Sequence, residues 1–84
     1  MKEVTLYSAD WCPYCNRAKK LLETKGVAYT EINVDQFPGK REEIVNKTGM
    51  KTIPQIFIGD HFVGGYSELS AIEASGELDT LLKS

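Results

Sequence analysis

Apolar positions along the chain fall into short blocks whose spacing changes at turn residues. Val4 to Tyr7 is a brief β-branched and aromatic run that breaks at Ser8-Ala9-Asp10, and it reads as a strand. From Pro13 the spacing becomes helical, with Cys15, Ala18 and Leu22 on one face and Tyr14, Ala18 and Leu21 on an adjoining one. Both faces are expected to point inward, and Gly26 ends the helix near Lys25. Val27 to Val34 is extended in character. Its apolar phase slips between Tyr29 and Ile32, which predicts a bulge or a strand that begins later than the run suggests.

Phe37-Pro38-Gly39 is a turn, after which Lys40 to Thr48 carries Ile44 and Val45 on a short amphipathic helix closed by Gly49. Ile56 to Ile58 and His61 to Val63 flank Gly59-Asp60, the pattern of a β-hairpin. Gly64-Gly65 ends it. Ser67 is the expected cap of a further helix with Leu69 and Ile72 inward; Gly76 breaks that helix, and Leu78, Leu81 and Leu82 form a last helical turn or two.

The order β-α-β-α-β-β-α predicts an α/β fold with a four-stranded mixed sheet and helices on both faces, because a parallel pair needs a covering crossover. The 84 residues are expected to form one domain, 1–84, burying about 60 to 65% of the surface of the unfolded chain. Apolar residues at 42% and charged residues at 26% exclude a disordered chain. A net charge of -2, with cations dispersed, gives no footprint for nucleic acid or an anionic membrane. Every apolar run is interrupted well short of the roughly 18 residues a membrane span needs, and the N-terminal residues lack the apolar stretch of a signal peptide. The expected location is the cytoplasm, and two closely spaced cysteines suit chemistry in that reducing compartment better than a secreted disulfide framework.

Those cysteines form the sequence Cys12-Pro13-Tyr14-Cys15 at the predicted helix start. Helical positions three apart face the same side, with Cβ atoms about 5 to 6 Å apart, so modest adjustment allows a disulfide. Pro13 suits the first helical position, which puts Cys12 at the cap and Cys15 in the first turn, nearer the core. Free N–H groups and the helix dipole converge on Cys12, an effect of about 1 to 2 kcal/mol that favours its thiolate. Cys12 is therefore the expected nucleophile and Cys15 the resolving thiol. A low-basicity sulfur attacks only several-fold better overall, but it also leaves more readily in the second exchange, which favours turnover.

Asp10 opposes this activation if its carboxylate stays close, while Arg17, Lys19 and Lys20 lie more than a turn along the helix and help little through solvent. A merely structural disulfide is the plain alternative, yet a loop of about four residues gains little entropy from closure. Zinc needs four ligands, and beyond the two cysteines the chain offers the solitary His61, which reads as a solvent-facing strand residue. No metal is expected.

Taken together, Cys12-Pro13-Tyr14-Cys15, Thr52-Ile53-Pro54 and Gly64-Gly65-Tyr66-Ser67-Glu68 resemble the glutaredoxins, specifically the short dithiol bacterial kind, across essentially the whole chain. The resemblance implies a thioredoxin-like fold with a cis peptide between Ile53 and Pro54. It implies glutathione as co-substrate, with the Ile53 backbone pairing with the cysteinyl unit and Thr52 beside it. The turn at Gly65 lets the backbone approach the ligand, and the helix opened by Tyr66, Ser67 and Glu68 receives the γ-glutamyl carboxylate.

Ser67 departs from the two acidic residues the family commonly carries there, which weakens the grip on the ligand's ammonium unless Glu68 compensates. Ala9 stands where many relatives have Lys, leaving Arg41 and Tyr14 as candidates for the glycine carboxylate; Arg41 reads equally as an exposed helix charge. Trp11 occurs in thioredoxins as well as in some glutaredoxins, and packing beside the active site is its plainest role.

The activity implied is reduction of glutathionylated and disulfide-bonded proteins by a monomer, with glutathione reductase and NADPH downstream. Two other readings stay open. One is a thioredoxin-reductase-dependent electron donor, against which Gly64-Gly65 argues. The other is a dimer holding an iron-sulfur cluster through Cys12 and glutathione, against which Pro13 and a competent Cys15 argue.

Overall fold

A computed structural model describes residues 2–83. The chain runs β1 (Val4–Ser8), α1 (Pro13–Thr24), β2 (Tyr29–Asn33), α2 (Lys40–Thr48), β3 (Gln55–Ile58), β4 (His61–Gly64), α3 (Tyr66–Ser75) and α4 (Glu77–Lys83). The sheet order is β2-β1-β3-β4. β1 and β2 are parallel, and the β1–β3 and β3–β4 pairs are antiparallel. This is the mixed four-stranded sheet that the alternation of elements implies.

One sheet face carries Val4, Leu6, Ile56 and Ile58, with Val4 opposite Ile58 and Leu6 opposite Ile56. Ala18 and Leu22 of α1, Leu69 of α3, and Leu78 and Leu82 of α4 close over it. The other face carries Tyr7 and Phe57, whose rings meet edge to face with centroids 5.9 Å apart. α2 lies on that side, since its Lys47 ammonium sits over Phe57 and its Thr48 hydroxyl bonds Gln55. Helices thus cover both faces.

The expected late start of β2 is borne out, whereas Tyr14 and Ser67 are placed otherwise than the sequence reading expects. β2 does begin late: the Val27 N–H donates to the Leu22 carbonyl at 2.9 Å, so the first apolar residue after Gly26 closes α1 instead of entering the sheet. Tyr14 does not point inward. It is 55% exposed, because the buried stripe of α1 is the single row Cys15, Ala18 and Leu22, with Leu21 only partly covered at its edge. Nor does Ser67 cap α3. Gly65 holds that position in an extended conformation, and the helix has already begun at Tyr66. The hairpin has one irregularity, a register shift between Ile56 and Phe57, which brings Ile56 opposite Gly64.

Ser8, fully buried at the end of β1, donates its hydroxyl to Glu31 at 2.6 Å, and Lys19 reaches the same carboxylate oxygen at 2.9 Å. The Ser8 hydroxyl first, and Lys19 second, hold the Glu31 carboxyl below its ordinary range. A depressed carboxyl contributes stability above its unfolded value, and that contribution disappears as pH falls through the folded one. The carboxylate is about a third exposed, so solvent limits the effect to below about 1 kcal/mol. Glu31→Gln is expected to destabilise the protein slightly at pH 7 and not at all near pH 3, as checked by urea midpoints at the two pH values.

Candidate active site

β1 ends at Ser8, and the chain leaves the sheet through Ala9, Asp10 and Trp11 before Cys12 caps α1. Cys12 has extended backbone angles, φ -147° and ψ 96°, as a cap residue should, and Pro13 occupies the first helical position, where no N–H is needed. The Asn16 N–H donates to the Cys12 carbonyl at 3.1 Å, closing the first helical turn. Cys12 and Cys15 are joined by a disulfide with Cα atoms 5.1 Å apart. The sulfurs are inequivalent: Cys15 is wholly buried, whereas Cys12 keeps a partly exposed surface.

The Cys15 N–H donates to the Cys12 sulfur at 3.1 Å. That bond comes from the backbone and is fixed by the helix, so it remains available to a thiolate once the disulfide is reduced. Asp10, the group expected to oppose ionisation, is tied elsewhere. Its carboxylate accepts from Asn33, the last residue of β2, at 2.8 Å and from Gln36, between β2 and α2, at 3.5 Å. Lys19 is engaged with Glu31 and is not a partner of either cysteine.

On its other side the Cys12 sulfur lies 3.8 Å from the carbonyl oxygen of Ile53. The Ile53–Pro54 peptide is cis, as the resemblance implied. Here opens a groove of about 350 Å³ that brings together Tyr14, Thr52, Ile53 and Pro54 with Gly65, Tyr66, Ser67 and Glu68. The Tyr14 and Tyr66 rings face each other across it with centroids 6.1 Å apart, and the Arg17 guanidinium stands 5.2 Å above Tyr14. A depression of similar size between α1 and α3, lined by Arg17, Lys20 and Lys25, adjoins at Tyr66.

The far end of the groove is the opening of α3. Glu68 turns its carboxylate back to accept from the Gly65 N–H at 2.7 Å, so it acts as a cap on its own helix. Gly64 makes this possible: its φ is +119°, and a Cβ there would come within 2.9 Å of the Glu68 side chain.

Arg41 is not brought to the groove. It stands on α2 and pairs with Asp35 at 3.6 Å, while the other Asp35 oxygen accepts from the Asp10 N–H. Trp11 lies beside the active site, lining a shallow depression with Cys12 and Pro13, but it is 86% exposed. His61 is an exposed strand residue, and among the described residues no group of three or more His, Cys, Asp or Glu side chains could hold a metal. No helix among them is long and apolar enough to cross a membrane. The sequence reading passed over two residues here: Met50 lines the groove, and Gln55, outside its lining, lies wholly buried directly after Pro54. Gln55 had a visible signal, an amide inside an apolar strand directly after Pro54; Met50 had none beyond its place after Gly49.

Comparison with known proteins agrees with this geometry. The chain is 50% identical to a glutaredoxin of Pseudomonas aeruginosa over 82 residues, covering 98% of each. It is 47% identical to glutaredoxin 3 of Escherichia coli K12 over 83 residues, covering 99% of this chain and all of that one. Among solved structures, a buckwheat glutaredoxin-glutathione complex superposes with a TM-score of 0.90 at 30% identity, over 98% of this chain and 77% of that one. A Brucella melitensis glutaredoxin superposes with a TM-score of 0.88 at 47% identity, over 99% and 90%. With the glutaredoxin family model matching residues 4–63 as well, the chain belongs to the glutaredoxin family of thiol-disulfide oxidoreductases, with their thioredoxin-like fold and redox-active disulfide.

Proposed function

We propose that this glutaredoxin uses glutathione to reduce protein-glutathione mixed disulfides and protein disulfides. The observation that carries the reading is the position of the Cys12 sulfur: it sits 3.8 Å from the carbonyl of Ile53, a residue that lines the groove running to the opening turn of α3. A γ-glutamyl-cysteinyl-glycine tripeptide fits those features. Its cysteinyl amide pairs with the backbone at Thr52 and Ile53, and its γ-glutamyl carboxylate faces the N–H groups of Tyr66 and Ser67. That a buckwheat relative forms a complex with glutathione supports glutathione as the ligand here.

Cys12 thiolate attacks the glutathionyl sulfur. The protein thiolate leaves and takes a proton from water, and Cys12 is left joined to glutathione. The thiolate of a second glutathione then attacks the glutathionyl sulfur, releasing glutathione disulfide and Cys12 thiolate. For a protein disulfide, Cys12 forms the mixed disulfide and Cys15 displaces the protein. The 5.1 Å separation of their Cα atoms already suits the resulting bond. Two glutathione molecules then reset the pair. Glutathione reductase and NADPH recharge the pool, and the reaction belongs in the cytoplasm, where thiols are kept reduced. The protein acts as a monomer.

Glu68 spends its carboxylate on Gly65, and Ser67 brings no charge, so the ammonium of the ligand is held weakly. Selectivity then rests on backbone contacts, each of about 0.5 to 1.5 kcal/mol. Two or three of these predict that a glutathionylated peptide is reduced roughly 10- to 100-fold faster than the same peptide bearing a 2-mercaptoethanol mixed disulfide. The oxidised protein is also expected to accept electrons faster from glutathione than from thioredoxin reductase. Equal rates on the two peptides, or preference for the reductase, would refute the proposal.

A further inference from the structure

We infer that Gln55 is a positioning residue: it holds the loop at 50–53 in the shape that binds the tripeptide, and so sets selectivity for glutathione without touching the sulfurs. The inference rests on the function proposed above.

Gln55 follows the cis Ile53–Pro54 bond as the first residue of β3, and its side chain is wholly buried. A buried amide is costly unless its donors and acceptor are met. Here they are. Its Nε2 donates to the carbonyls of Met50 at 2.7 Å and Thr52 at 3.1 Å, and its Oε1 accepts from the Thr48 hydroxyl at 2.8 Å. The amide can point only one way, because the two carbonyls are obligate acceptors and only the NH₂ end can satisfy both.

Outside helices and strands, no backbone-to-backbone hydrogen bond among the described residues involves 50–53. The loop is shaped instead by side chains: Gln55 draws in two carbonyls, and the Thr48 hydroxyl accepts from the Met50 N–H at 3.1 Å. The hydroxyl's single proton is shared between the Gln55 amide oxygen and the Ile44 carbonyl, at 2.8 and 2.9 Å, which fastens the loop to the last turn of α2. With the carbonyls of Met50 and Thr52 engaged by Gln55, the carbonyl of Ile53 is the one left beside Cys12. The loop that meets the ligand is therefore set by the Gln55 amide together with the Thr48 hydroxyl.

Gln55→Leu keeps the volume and removes both donors. Its kcat/KM on a glutathionylated peptide is expected to fall about tenfold. Its reaction with an aromatic disulfide lacking the tripeptide should stay within about twofold of wild type, because the Cys15 N–H that serves Cys12 belongs to another element. Thr48→Val, which leaves the Gln55 donors in place, should lose selectivity in the same direction by about threefold, and it decides the matter if Gln55→Leu does not fold. Unchanged selectivity in the folded variant, or equal losses on both disulfides, overturns the positioning role. A wild-type protein with no preference for the glutathionylated peptide is a different outcome: it removes the functional reading first, and this inference with it.

Discussion

Cys12→Ser is expected to bring reduction of a glutathionylated peptide down to the uncatalysed rate, a loss on the order of 10³-fold or more, whereas Cys15→Ser keeps a substantial fraction of it. Serine at position 12 retains the cap geometry but presents a hydroxyl far too basic to ionise near neutrality, and oxygen does not take part in disulfide exchange. Position 15 differs because its contribution to the nucleophile is the backbone N–H at 3.1 Å from the Cys12 sulfur, which a side-chain change leaves in place. Only the resolving step, and with it the two-thiol reduction of protein disulfides, depends on the Cys15 sulfur. Steady-state assays with glutathione, glutathione reductase and NADPH, run on a glutathionylated peptide and on a protein disulfide, separate the two. Equal loss from both variants on the glutathionylated peptide would contradict the assigned roles.

Much of this asymmetry is legible in the residues themselves. Pro13 marks the first helical position, so Cys12 must be the cap and Cys15 must lie within the first turn, where it is buried with Ala18 and Leu22. The hairpin about Gly59-Asp60 and the late start of β2 are equally local, one a turn composition and the other a slip in apolar phase. What the sequence hides is which side chain wins when two are suitable. Ser67 is the better cap by composition, yet Gly65 takes the position, because extended backbone there lets Glu68 reach back across three residues. Arg41 has the charge for a carboxylate, but Asp35 lies nearer in space and engages it. Tyr14 is aromatic and next to an inward face, yet it stays at the surface opposite Tyr66. Gln55 joins residues of α2, a loop and β3, and no pattern of spacing shows that an amide must serve all three.

Gly64→Ala should cost about 2 to 4 kcal/mol and loosen the groove at the same time. Two causes add. At φ +119° a side chain is strained wherever space allows it, an effect of about 1 to 3 kcal/mol. Space is also lacking: the new methyl meets the Cγ and Oε1 of Glu68 at 2.9 Å, and that side chain cannot move without releasing the Gly65 N–H it caps. Losing a cap costs about 0.5 to 2 kcal/mol more. In a domain of this size each kcal/mol lowers the melting temperature by roughly 4 to 8 °C, so a fall of about 10 to 25 °C is expected. The two causes part in a cycle with Glu68→Ala, which loses the cap alone. Once the carboxylate is gone the methyl has nothing to displace, so the double variant should be more stable than the sum of the single losses predicts. Additive losses would mean that Gly64 serves only its own backbone; a shortfall would mean that it keeps room for Glu68, and through Glu68 keeps the opening of α3 in shape at the end of the groove.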